Sequence, residues 1–266
     1  MDTATEGTIV RVEKFLAKEC QAHLADVYKD VTSRLGKLPE RATRDVLSEA
    51  DLDAVFGPLT VQNKRLRDRM RDAIAKSIRT FADKLGAALG VATPAELPAW
   101  KLLLEARVNR LVEGVTDNGQ VIYKGWNQEL RDTVRNAVSE GYSKGESTGK
   151  IAARIAEGLD VDPSNPRAVR NRALTIARTE TNGLANTTGW ELANESPLVK
   201  KKAWYSISDN RSRQSHIDAA AKYNLANAIP IGEQFNVGGV SMDHPHDPSA
   251  PAGEVVNCRC RVLYTA

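Results

Sequence analysis

The last 70 or so residues constrain this chain most, because they hold too little apolar side chain to fold on hydrophobic burial alone. After Pro197 the sequence turns irregular, with Gly232, Gly238, Gly239, Pro245, Pro248 and Pro251 in close succession. The same stretch carries Trp204, the run Asp209-Asn210-Arg211-Ser212-Arg213-Gln214-Ser215-His216, and a terminal Asn257-Cys258-Arg259-Cys260-Arg261. Such side chains are costly to bury alone. A segment that gathers them needs a polar clamp or a metal to hold its shape.

The preceding chain reads differently. Val12, Leu16, Cys20, Leu24, Val27, Val31 and Leu35 step by three or four, which predicts a helix stopped at Gly36. Cys20 falls on that stripe and is expected to be a core residue. A second helix is predicted from about Val61 to Leu89 on Leu66, Met70, Ile74, Ile78, Phe81, Leu85 and Leu89. Lys64, Arg67 and Arg71 stand among other basic residues on its remaining surface, interspersed with Asp68, Asp72 and Asp83. That mixture predicts a solvated, salt-bridged face, with a DNA- or partner-facing surface as the alternative.

Further helices are expected after Pro98, around Leu130 to Gly141, from Ser147 to Leu159, and from Ala168 to about Asn194, with turns at 116–120 and 162–166. Beyond Pro197, the residues 203–208 predict a strand and Val255–Tyr264 a final strand, which would place Cys258 and Cys260 on one face. The fold class is therefore α+β. A predominantly helical region spans residues 1–160, and a compact α+β module with a few short strands spans 161–266.

Bulk properties exclude several classes. The formal net charge is +3, from 37 basic and 34 acidic side chains, which is not the cationic excess of a dedicated nucleic-acid binder. No apolar run of about 18 residues suggests a membrane span. Nothing at the N-terminus reads as a secretory signal, so a cytosolic origin is expected, and three cysteines do not make a disulfide framework.

The terminal cluster admits three readings. Cys258, Cys260 and His216, with Asp209, His244 or His246 near, would suit a structural zinc. Cys258 with His216 could form a thiol–imidazole pair, but a mid-strand cysteine has no helix N-terminus to activate it. The third reading is a structural hydrogen-bond knot in which Asp209 caps a helix starting near Asn210, Arg211 and Arg213 bridge carboxylates or strand carbonyls, and His216 satisfies a backbone group. On this reading Glu180 meets an arginine of the module. Lys200, Lys201 and Lys202 are expected to be a solvated strand edge, or else to face DNA or a partner. No residue is assigned as catalytic, and no cofactor other than zinc is expected.

In order along the chain, Ala177-Arg178-Thr179-Glu180, Trp204, Asp209-x-Arg211-x-Arg213-x-x-His216, Phe235 after Gly232-Glu233, Pro245-x-Asp247-Pro248 and Asn257-Cys258-Arg259-Cys260 resemble the head-morphogenesis domain of Mu F-like phage minor head proteins. The resemblance covers about Gly141 to Tyr264. The family pattern usually has a glycine soon after the histidine; here Ile217-Asp218 is followed by Ala219-Ala220-Ala221. The resemblance implies a low-copy protein of the virion interior near the portal vertex, made in the host cytoplasm. Its implied partners are the portal protein, the major capsid or scaffolding protein and packaged double-stranded DNA, with no membrane and no family-wide enzymatic activity. A toxin-related hydrolase or transferase using His216 and Cys258 is the rival, and a non-specific DNA-binding protein a third reading.

Overall fold

The computed structural model describes residues 3–38, 47–91, 98–114 and 125–266. The predicted turn at 116–120 lies outside them. Helices come first: α1 (Thr3–Arg34), α2 (Glu49–Phe56), α3 (Leu59–Leu89), α4 (Pro98–Glu113), α5 (Trp126–Ser143), α6 (Thr148–Leu159) and α7 (Asn171–Glu195). There follow β1 (Lys201–Tyr205), α8 (Gln214–Lys222), β2 (Ile229–Pro230), β3 (Phe235–Val237), β4 (Val240–Met242), α9 (Ala252–Val255) and β5 (Arg261–Thr265). The α+β class read from the sequence is what the chain adopts.

The chain divides into two compact units. One draws on Met1–Leu16, Ala73–Glu105 and Thr175–Ala266; the other on Ala17–Asp72 and Ala106–Leu174. The boundaries cut through α1, α3, α4 and α7, so each unit takes segments from both sides of residue 100.

The second unit is all helical. Its core is long aliphatic side chain: Leu24, Leu52, Leu66, Met70, Leu130, Val134, Ile151 and Ile155 are buried. α5 and α6 meet through glycine. A Cβ on Gly141 would lie 2.4 Å from Ile151 Cγ1, and one on Gly158 would lie 2.6 Å from Thr133 Cγ2. Any larger residue at either position would force the facing side chain, or the helix carrying it, to shift. α2 starts at a reciprocal capping box, with Ser48 and Asp51 each accepting from the other's backbone N–H. It is tied to α5 by Arg131, a buried guanidinium that pairs with Glu49 at 2.6 Å and with Asp53. Cys20 is fully buried, as its stripe predicts. His23 is buried too, with Nε2 2.7 Å from Asn127 Oδ1 and its ring 5.0 Å from that of Trp126. Burial holds the imidazole down at about 4.

The first unit contains the C-terminal module. β2, β1 and β5 form an antiparallel sheet in that order, with Trp204 opposite Val262 and Lys202 opposite Tyr264. β3 and β4 make a separate hairpin through Gly238 and Gly239, both at positive φ. The module core is small: Trp204, Ala219, Tyr223, Phe235, Val237, Met242, Ala250, Val255 and Val262, completed by Cys258 and Cys260. Trp204 and Tyr223 both meet Phe235 edge-on, with centroids 5.3 and 5.2 Å away. α7 lies against β5, where Gly189 leaves room for Tyr264; a Cβ there would be 3.5 Å from the tyrosine oxygen.

Two expectations change here. The final strand was predicted from Val255, but Val255 ends α9 and the ladder begins only at Arg261. Cys258 and Cys260 lie in the connecting loop, after Asn257 at φ 57°. Alternating side chains in a short extended loop look the same in sequence as a strand. Lys202 was expected at a solvated edge or facing DNA, yet it is fully buried. Its Nζ donates to the Asp243 carbonyl at 2.8 Å and lies 5.1 Å from the Phe235 ring centroid. Burial lowers its pKa, against the pull of Asp243 and Asp247. Lys200 and Lys201 are exposed, but not at a sheet edge: β1 is the central strand, and Lys201 stands opposite both Pro230 and Thr265.

Candidate functional site

α8 and the 257–260 loop meet at one imidazole. Arg213 stands at the N-cap of α8, and its guanidinium donates to the Val256 carbonyl at 2.7 Å, fixing the helix start against the loop. Two residues into the helix, His216 points inward, 2% exposed. Its Nδ1 lies 3.4 Å from Cys258 Sγ and 3.3 Å from Cys260 Sγ. Its Nε2 lies 2.7 Å from Glu254 Oε2, on α9, and Ser215 Oγ donates to the same carboxylate oxygen at 3.2 Å. Trp204 closes one side, edge-on to the imidazole with centroids 5.6 Å apart. The Cys260 backbone N–H donates to Cys258 Sγ at 3.3 Å.

Electrostatics divides the two thiols. Hydrogen bonding from Cys258, helped by the His216 imidazole, draws the Cys260 thiol well down against its burial. The same thiol–thiol bond, together with burial, pushes Cys258 up. Two sulfurs this close resist ionising together. Burial alone would lower the pKa of His216, but Cys260 and Glu254 outweigh it and raise it.

A second layer holds the loop. Asp209 accepts from Arg259 at 2.6 Å, and that guanidinium holds its carboxyl well below the usual carboxylate range. Asp209 does not cap α8, which begins five residues later. It closes its own turn by accepting from the Arg211 N–H at 3.0 Å and from Ser212 Oγ at 3.2 Å. Arg211 is largely exposed, its guanidinium 3.7 Å from Asp209. Arg261 is buried and donates to the carbonyls of Arg259 and Cys260. His246, at φ 63°, has Nε2 2.9 Å from the Cys258 carbonyl, and His244 Nδ1 is 2.9 Å from the Pro245 carbonyl. Neither ring joins the sulfur cluster: among the described residues, His216, Cys258 and Cys260 are the grouping whose ligand atoms converge.

α7 supplies further contacts, of which those of Asn182 and Asn186 were missed by sequence reasoning. Asn186 Nδ2 donates to the Cys260 carbonyl at 3.0 Å while its Oδ1 accepts from the Val262 N–H at 3.1 Å. The amide thereby stands in for a neighbouring strand. One turn earlier, Asn182 donates to the Cys258 carbonyl at 3.0 Å. Thr179 Oγ1 accepts from the Asn257 N–H at 2.8 Å. Arg178 bridges Asn257 Oδ1 at 3.0 Å and Glu13 at 3.2 Å. Arg178 thus supplies an arginine bridge between α7 and the loop, and Glu180 is buried on the same helix. Asn182 and Asn186, four residues apart, share one face of the helix, and that spacing was the legible signal.

The basic face of α3 is laced with acids. Lys64 pairs with Asp68 at 2.6 Å, Arg69 with Asp26 at 2.6 Å, and Arg67 with Glu113. Arg71 is exposed. The salt-bridged reading of that face fits these contacts better than an open cationic patch.

These features define a helical protein that carries a small α+β module built round a thiol–imidazole cluster and held to one long helix by Arg178, Thr179, Asn182 and Asn186. The family described as Phage Mu protein F like protein matches residues 132–263. Through that half of its length the chain belongs to the Mu F-like family, a phage head-morphogenesis family. It is also similar to the uncharacterized protein YqbB of Bacillus subtilis (strain 168), 34% identical over 99 residues, which are 36% of this chain and 31% of that one. The match spans about a third of the relative's length. No solved structure matches the chain.

Proposed function

We propose that the chain is a minor head protein of a tailed phage, acting inside the head during assembly through contacts with the portal and with the major capsid or scaffolding protein. The observation that carries this reading is the convergence of the family's dispersed motif residues. Arg178, Thr179, Trp204, Asp209, Arg213, His216 and Asn257–Cys260 come from two helices, one strand and two loops, and they interlock in a single module. The interlocking serves shape. Both thiols are 3% exposed, so a substrate carbonyl or phosphoryl group has no approach to them without opening the module. We therefore read the cluster as structural and assign no catalytic residue.

The helical region from the N-terminus to about residue 160 would supply the docking faces. No described helix is long and apolar enough to cross a membrane. Exposed Lys200 and Lys201 would give weak, non-specific and salt-sensitive contact with packaged DNA, and the acid-paired face of α3 would add little. The test is co-expression with portal and capsid proteins followed by purification of heads. The reading expects the chain to sediment with heads in low copy and to stay with isolated portal rings. A chain that remains free, with heads assembled normally without it, overturns it.

A further inference from the structure

We propose that His216, Cys258 and Cys260 bind one zinc ion, with solvent in the fourth position. In a tetrahedral site with Zn–S near 2.3 Å and Zn–N near 2.0 Å, a nitrogen and a sulfur ligand lie about 3.5 Å apart. Nδ1 stands 3.4 and 3.3 Å from the two sulfurs, and the three ligand atoms all lie within 4.8 Å of one another. The spacing therefore needs only small adjustment to close on a metal. Two thiolates and an imidazole are also the donor set that favours zinc over magnesium or calcium.

The surroundings match a metal site more than a hydrogen-bond knot. One Nδ1 lone pair can accept a single S–H, so without a metal only one of the two converging thiols can donate to the imidazole and the other must turn to its neighbouring sulfur. A cation between the three atoms serves all of them. The far side of the ring is set as metal-bound histidines usually are: Nε2 meets the Glu254 carboxylate at 2.7 Å, which orients the ring and leaves Nδ1 as the ligand. The Cys260 N–H directed at Cys258 Sγ stabilises a sulfur that carries negative charge. The carbonyls of the two cysteines are held by Asn182 and Asn186, so the sulfurs are aimed by a rigid loop. The three ligands border a shallow cleft with Ser206, Arg213 and Asn257, too small for a substrate and on the side from which a solvent ligand would come.

The experiment is elemental analysis of the full chain purified from zinc-supplemented cells, joined to cobalt substitution of chelator-treated protein. About one zinc per chain is expected. Cobalt should give an intense thiolate-to-metal charge-transfer band and the visible bands of a four-coordinate ion. Cys258→Ser with Cys260→Ser should lose the metal, Glu254→Gln should keep it with affinity weakened roughly 10–100-fold, and Cys20→Ala should keep it fully. If the double variant does not fold, the cobalt spectrum of the wild-type chain still decides. Metal-free protein that gives no cobalt charge-transfer band overturns the proposal. So does metal retained by the folded double variant, or a Cys258–Cys260 disulfide in protein handled anaerobically.

Discussion

The helical unit built on α5 and α6 and the C-terminal module built on Trp204 are held by different means. In the first, long aliphatic side chains fill the interior and a few buried polar groups, Arg131 and His23 among them, are each matched to specific partners. In the second, a nine-residue apolar core is finished by two cysteines, and carbonyls of the loop beside it are held by asparagine, histidine and arginine side chains. A module with so little apolar area to bury gains shape from directional contacts instead. The lesson is that a motif spread over many residues of a small module can mark how it folds rather than what it catalyses.

Three substitutions or conditions probe that contrast. The largest expected effect is Trp204→Ala. It removes the side chain shared by the aromatic cluster and the imidazole, and should cost about 3–5 kcal/mol. Denaturant unfolding followed by hydrogen exchange at β1 and β5 would measure it; a loss below about 1 kcal/mol would mean that the aromatic core is dispensable.

The next effect belongs to the helical unit. His23 titrates at about 4 when folded and near 6.5 when unfolded, so between those values the unfolded chain binds more protons. Stability should therefore fall as pH drops through that window, by up to about 3 kcal/mol on reaching the lower end. His23→Gln should flatten the dependence of the α5 amides on pH. An unchanged slope in that variant contradicts the assignment.

The smallest is Asn186→Ala, which strands the Val262 N–H and leaves the Cys260 carbonyl to Arg261. A cost of about 1–3 kcal/mol is expected, localised to β5 in exchange experiments. Asn186→Asp should not rescue it, because a carboxylate cannot donate to the carbonyl.

Much of the fold was legible because long helices repeat their pattern. α1, α3, α5, α6 and α7 each carry enough apolar positions at three- and four-residue spacing to be read directly. α2 was not, since eight residues give barely two turns, although Ser48 and Asp51 spell a capping box. β2, β3 and β4 have two or three residues each, too few for alternation to register. The candidate site was legible as a list of residues, Asp209, Arg213, His216 and Cys258–Cys260, but not as a geometry. Sequence could not say that Arg259 chooses Asp209, that Glu254 backs His216, or that Lys202 turns inward to a carbonyl and a ring, because each depends on a partner tens of residues away.

The claim beneath the account is that the sulfur–imidazole cluster, more than apolar area, fixes the module's shape. Hydrogen exchange on His216→Ala addresses it most directly. Protection should be lost together across β1, α8 and β5, while the amides of α5 and α6 exchange as in the wild type. Protection of β1 and β5 that survives the loss of the imidazole would contradict it.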